Sequence, residues 1–280
     1  MKPKDAKLMY IYSYRSLLMY KTETLRIHVA TNHTKINGFM NFPLVQNEVL
    51  VFYGKLNDFD ALNCRSLLSN QERFRATQFQ LDKDKSNFII SKAILKSLLA
   101  YFSNKSEMKI DFRYGKNGKP YLSDNSNVQF NCSHSESAVV IAIALGMEIG
   151  IDLEQLSRKV NRSRLASFLF TPTELIAYHQ LEEMHQQQFF MDLWTTKEAI
   201  LKATGEGLTR PMNTLTVALN EEKKLTLEMT GESSENNTDW FLESYTLMED
   251  YTGALAVRGN VNRVQYIQIN EADLFTNKSF

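Results

Sequence analysis

The stretch "SAVVIAIALGMEIGIDLE", residues 137–154, decides how this chain is read. Its first part, 137–145, is dominated by β-branched and aliphatic side chains and predicts a buried central strand. Its second part, "EIGIDLE" (148–154), predicts another strand, expected as the neighbour of the first. In an extended chain, positions two apart share a face, so Asp152 and Glu154 set two carboxylates side by side. Like charges placed this way are unfavourable unless a cation or a proton lies between them.

The bulk composition narrows the setting. With 280 residues the chain forms one large domain or two modest ones and can bury a substantial core. Hydrophobic residues make up 43% and charged residues 23%, the pattern of an ordinary globular protein. Acidic and basic residues balance at 32 each, which argues against nucleic-acid binding through overall charge. Cys64 and Cys132 stand far apart in no metal-binding spacing, so reduced, buried thiols are expected. No apolar run has the length of a membrane span, and the start of the chain lacks a signal-peptide layout. A cytoplasmic monomer with no membrane partner is the expectation.

Outward from the opening stretch, the chain reads as an α+β protein. Residues 1–47 show no clean period and are expected as an N-terminal extension. In the part that follows, "VLVFYGKL" (49–56) predicts a strand, and Ser69 three residues before Glu72 predicts a capping box. Residues 85–102 carry the apolar period of a long helix. Asn117-Gly118 in "YGKNGKPYL" marks a hairpin turn. The later part repeats this plan. Thr171, Pro172 and Glu174 open a helix by a second capping box. A long helix through "FFMDLWTTKEAILKATG" is expected to end at Gly205, and five strands follow. The tract "GESSENNTD" (231–239) between two of them is a polar loop. The words "KAILK" (92–96) and "EAILK" (198–202) recur in the two long helices. Two similar, pseudo-duplicated α/β subdomains are therefore expected, 48–150 and 151–280, with a ligand crevice between them.

The chemistry-bearing residues gather around a few short words. In "LWTTKEAILKATGEGL", Glu198 has Lys202 at i+4, which alone is a solvated ion pair worth ~0.3–0.5 kcal/mol. Lys197 precedes it, and Trp194 is read as packing the helix into the core. "GKP" places Lys119 beside a tight turn. "FNCSHS" brings Ser133, His134 and Ser135 together, a cluster able to donate hydrogen bonds to phosphate oxygens. Carboxylates together with dispersed cations suit a magnesium-bound polyphosphate, since Mg²⁺ prefers oxygen ligands. Walker A, G-x-G-x-x-G and G-x-S-x-G motifs are all missing from the sequence.

Those words, in order, also resemble a known family. "GKPYL", "FNCSHS", "GIDLE", "FTPTE" and "WTTKEAILKATGEGL" are similar to the motifs of the Sfp-type 4′-phosphopantetheinyl transferases, over about residues 68–210. The resemblance implies transfer of the 4′-phosphopantetheine arm of coenzyme A to a serine of an apo acyl or peptidyl carrier protein, releasing adenosine 3′,5′-bisphosphate. It implies that Asp152, Glu154 and Glu198 bind magnesium and that Glu198 also serves as base. Lys197 and Lys202 would stabilise charge on the phosphate in flight, while Lys119, Ser133, His134 and Arg75 would meet the nucleotide. Glu72 and Asn87 depart from the family pattern, where basic residues often stand. Two other readings stay open on the residues alone. One is an inactive module that binds coenzyme A or a carrier; the other is a different magnesium-dependent nucleotide pyrophosphate enzyme.

Overall fold

The computed structural model describes residues 42–124, 126–220, 224–229 and 240–275. Most of the expected extension and the 231–239 tract therefore lie outside the described residues. The rest separates into two compact units, one ending at Met147 and resuming at Asn262, the other running from Glu148 to Val261. Both mix helices with sheets, as the α+β reading requires.

In the first unit, β1 (Glu48–Lys55) pairs antiparallel with β5 (Ala138–Leu145), and β5 pairs antiparallel with β4 (Val128–Ser135). Here β2 (Phe112–Tyr114) and β3 (Pro120–Leu122) form the hairpin expected around Gly118, whose φ of 87° suits a residue without a Cβ. Three helices complete this part: α1 (Ala61–Arg65), α2 (Asn70–Ala76) and α3 (Asp82–Phe102). The seam Ile90, Ile94 and Leu98 repeats every fourth residue along α3 and packs with Leu50, Phe52, Ile141 and Ile143 in one core. The Ser69 capping box is present, with Glu72 Oε2 accepting from the Ser69 amide at 2.8 Å. The same oxygen accepts from Lys96 Nζ at 2.9 Å, and that lysine is fully buried.

The second unit holds β6 (Glu148–Gln155), α4 (Arg162–Leu169), α5 (Pro172–Gln180) and α6 (Glu183–Thr204). A hairpin of β7 (Leu215–Leu219) and β8 (Leu225–Met229) follows, then β9 (Trp240–Tyr245) and β10 (Tyr251–Arg258). The three-stranded sheet has the order β6-β10-β9 and is antiparallel throughout. So β6 is not the neighbour of β5, although only two residues separate them in sequence. The Thr171 capping box forms with Pro172 in the first turn, and Gly205 closes α6 at φ 73°. Among the described residues no helix is long and apolar enough to cross a membrane.

The last strand, β11 (Arg263–Gln268), lies parallel to β1 and makes the first sheet β11-β1-β5-β4; α7 (Glu271–Phe275) follows it. The first unit is thus built from both ends of the described chain, not from 48–150 alone. Parallel pairing across some two hundred residues has no local signature, so a cut placed once in the sequence misses it.

One contact sets the spacing of the second unit. A Cβ added at Gly150 on β6 would lie 1.9 Å from Ala199 O and 2.4 Å from Ala203 N, both backbone atoms of α6. Strand and helix therefore touch through backbone, with Ala199, Ala203, Ala254 and Ala256 as the small residues of the surrounding core. Replacing Gly150 by Ala is expected to lower the unfolding free energy by about 3 kcal/mol or more, because neither backbone can give way cheaply. Urea denaturation of the variant against wild type measures this.

Candidate active site

Because Gly150 faces α6, the pleat places Asp152 and Glu154 on that same side of β6. Asp152 is 5% exposed, and its Oδ1 accepts from Lys202 Nζ at 2.6 Å. Lys202 also donates to Ile151 O at 3.3 Å. It thus leaves its i−4 neighbour Glu198 for the strand, and the solvated helical pair is not what forms. Glu154 Oε1 accepts from Arg158 Nη1 at 2.7 Å. Burial pushes the Glu198 carboxyl upward; the Asp152 and Glu154 charges push it the same way, and Lys202 opposes them. The structure thereby brings Asp152, Glu154, Glu198 and Lys202 into one electrostatic group.

Its backbone is held from β10 and β9. Tyr245 Oη donates to Asp152 O at 2.6 Å, and burial, followed by the Asp152 charge, raises that phenol well above its ordinary value. A Cβ at Gly253 would meet both Asp152 O and the Tyr245 ring at 2.4 Å. Beneath, the buried Asp192 of α6 accepts from Thr252 Oγ1 at 2.9 Å and from Gln188 Nε2 at 2.9 Å, which pins helix to sheet. Tyr245 and Gly253 were not singled out in the sequence. Their contacts with Asp152 run over 93 residues or more, and only a paired register reveals them.

Lys197 needs correction. Its ammonium is fully buried and donates to Leu169 O at 2.9 Å, Glu174 Oε2 at 2.5 Å and Met212 O at 3.2 Å. All three N–H donors are used, so none remains for a phosphate. Removing one partner of such a buried pair costs about 3–5 kcal/mol, which marks Lys197 as a structural residue. Glu174 also accepts from the Val217 amide at 2.9 Å and closes its own capping box. In the first unit Glu72 and Lys96 form the same device. The lysine with the role of Lys96 is thus Lys197, not the Lys202 that the shared word aligns with it.

The residues expected to meet a nucleotide stand on separate elements of the first unit. Ser133 and His134 are adjacent on β4, but strand alternation turns them apart: Ser133 is buried, and His134 is exposed. They cannot act as one cluster on one face. Lys119 follows the hairpin turn, its Nζ 5.8 Å from the Tyr121 ring centroid. Arg75 is exposed on α2, with its guanidinium over Phe88 at 5.6 Å. Asn87, one of the departures from the family pattern, donates to Glu136 O at 2.8 Å and so fixes the β4–β5 turn. Cys64 is buried and Cys132 half-buried, and neither is in a disulfide.

The donor set of Asp152, Glu154 and Glu198 is entirely carboxylate oxygen, the chemistry that Mg²⁺ prefers. Among the described residues, however, no three acidic, His or Cys side chains are drawn close enough to hold a metal ion. Lys202 and Arg158 instead occupy Asp152 and Glu154. In donor chemistry the residues fit magnesium.

A family model described as the 4′-phosphopantetheinyl transferase superfamily matches residues 148–256. A second, described as 4′-phosphopantetheinyl transferase, N-terminal, matches 58–145. The chain is 31% identical over 212 residues to slr0495 of Synechocystis sp., a protein assigned to the 4′-phosphopantetheinyl transferases, covering 74% of this chain and 85% of that one. The chain belongs to the 4′-phosphopantetheinyl transferase superfamily. It is 32% identical over 183 residues to the transferase HetI of Nostoc sp., covering 64% of this chain and 77% of HetI. Against the transferase Sfp of Bacillus subtilis it is 24% identical over 190 residues, covering 68% of this chain and 82% of Sfp, and the Sfp-type assignment holds. A holo-(acyl-carrier-protein) synthase of Bacillus anthracis, solved in complex with CoA (3′,5′-ADP), covers 40% of this chain and 96% of that chain at 20% identity and a TM-score of 0.33, too low to bear on the fold.

The raised Glu198 carboxyl has a pH signature. A carboxyl raised on folding contributes stability that is present below its unfolded value and is lost as pH rises through its folded value. Glu198→Gln cannot ionise, so at pH 7.5 the variant should melt a few degrees above wild type. Toward pH 4, where the unfolded carboxyl is itself protonated, the difference should vanish. Paired thermal melts across this range check it.

Proposed function

We propose that this chain moves the 4′-phosphopantetheine arm of coenzyme A onto a serine hydroxyl of an apo acyl or peptidyl carrier protein. The observation that carries the reading is the group of Asp152, Glu154, Glu198 and Lys202 gathered from β6 and α6, with Glu198 raised by burial beside two carboxylates. In the reaction the serine oxygen forms a bond to the phosphorus that bears pantetheine. The bond from that phosphorus to the bridging oxygen breaks, and adenosine 3′,5′-bisphosphate leaves with the electron pair. A carboxylate that holds a proton more tightly is a stronger base, and Glu198 is assigned to take the serine proton. The Lys202 ammonium, already held over the strand by Asp152 and Ile151 O, stabilises charge on the phosphoryl oxygens. Asp152, Glu154 and Glu198 would hold magnesium, which neutralises pyrophosphate charge when bound. In the first unit, Arg75, Lys119 and His134 carry exposed or half-exposed groups whose chemistry suits phosphate, whereas Ser133 is buried. The setting we assign is a cytoplasmic monomer.

The carrier surface follows from charge and exposure. Helix α4 and the segment before it carry Arg158, Lys159, Arg162 and Arg164 with no acidic residue from 157 to 170. Of the apolar side chains there, Leu165 and Leu169 pack onto the second core, while Phe168 is 63% exposed. Arg164 lies one turn before Phe168 on α4 and is exposed with it. An acidic carrier would be attracted to such a surface, and salt would weaken the attraction.

One assay tests both parts: purified protein with coenzyme A, magnesium and an apo carrier, read by intact mass. Wild type should add one arm to the carrier, and Glu198→Gln should lose transfer by about 100-fold or more. Reversing Arg162 and Arg164 to Glu should raise KM for the carrier several-fold at low salt while coenzyme A binding stays near wild type. Coenzyme A cleavage without carrier modification, or binding without mass gain, would contradict the reading.

A further inference from the structure

Glu154 is already engaged by a cation that the reaction does not require. The Arg158 guanidinium bonds Glu154 Oε1 at 2.7 Å and lies over the Trp194 ring, 5.9 Å from its centroid. Trp194 is itself fixed edge-on against Phe190, with the centroids 5.3 Å apart. Arg158 therefore bridges the end of β6 to α6 from outside: its side chain is 47% exposed, and that of Glu154 is 13% exposed. The turn carrying Arg158 does not depend on this side chain. Gln155 Nε2 and Ser157 Oγ both donate to Asp250 Oδ2, at 2.9 and 2.5 Å, and Gln187 Nε2 donates to Leu156 O at 2.5 Å.

We propose that Arg158 is a displaceable counter-cation that sets the metal affinity of the Asp152–Glu154–Glu198 group, held in place by the Trp194 ring. The inference rests on reading those carboxylates as metal ligands. A divalent ion approaching Glu154 competes with the guanidinium for Oε1 and is repelled by its charge at short range. Once displaced, Arg158 joins the exposed Lys159 and Arg164 and adds to the positive charge shown to an acidic partner. By linkage, a partner that draws Arg158 away strengthens metal binding by the same factor.

The test is calorimetric titration of Mg²⁺ into the full chain, comparing wild type with Arg158→Ala and Arg158→Lys. Arg158→Ala should bind the metal roughly three- to tenfold more tightly, and Arg158→Lys, which keeps the charge, should stay near wild type. The emission of Trp194, isolated by Trp240→Phe, should change on Mg²⁺ addition when Arg158 is present and stay constant in Arg158→Ala. Metal binding of equal strength in all three proteins overturns the role of Arg158 but leaves the ligand reading standing. Binding by none of them overturns the ligand reading, and this inference with it.

Discussion

A strand and a helix whose backbones touch are what the second unit depends on. With Gly150 against Ala199 and Ala203, the next two residues on that face of β6 must come level with the side chains of α6. A larger residue would hold strand and helix apart, and side-chain atoms would have to span the added distance. Glycine at this position thus sets where Asp152 and Glu154 stand along α6. The hydroxyl of Tyr245 and the missing side chain at Gly253 do the same from the opposite neighbour, holding the Asp152 carbonyl in place.

Two lysines five residues apart on one helix have different fates, and their partners explain why. Lys197 is met by a capping-box glutamate and two carbonyls, and with every donor used it locks α5 to α6. Lys202 meets a strand carboxylate and remains partly accessible. Burial lowers the Lys197 ammonium while the Glu174 charge acts to raise it, as expected of a cation whose surroundings leave it no water. The first unit repeats the locking device with Glu72 and Lys96. There, burial pushes the Glu72 carboxyl up, but the Ser69 amide and Lys96 together outweigh it, and the net shift is downward.

What the sequence made legible is local chemistry. Both capping boxes, the Gly118 turn, the Gly205 cap and the strands β1, β5, β6 and β7 to β11 are written within a few residues of where they act, whereas β4 reads only as a polar cluster. Asp152 and Glu154 on one face followed from the period of two. Features fixed by distant pairing were not legible. These are β11 beside β1, β6 beside β10 and not β5, and Glu174 claiming Lys197. On β4, neighbours in sequence face opposite sides, so His134 is exposed while Ser133 and Ser135 are both buried, a division no local word marks. The hold of Arg158 on Glu154 depends on the strand ending at Gln155 and the chain turning there, which no local pattern marks.

We propose that carboxylates from two elements, Asp152 and Glu154 on β6 and Glu198 on α6, act as a single metal-binding group. This proposal is tested most directly by Mg²⁺ affinity in Asp152→Asn, Glu198→Gln and the double variant, each titrated alongside wild type. If the group acts as a unit, either single change should remove most of the affinity and the double change little more. Full additivity, or wild-type affinity in either single variant, would contradict the account.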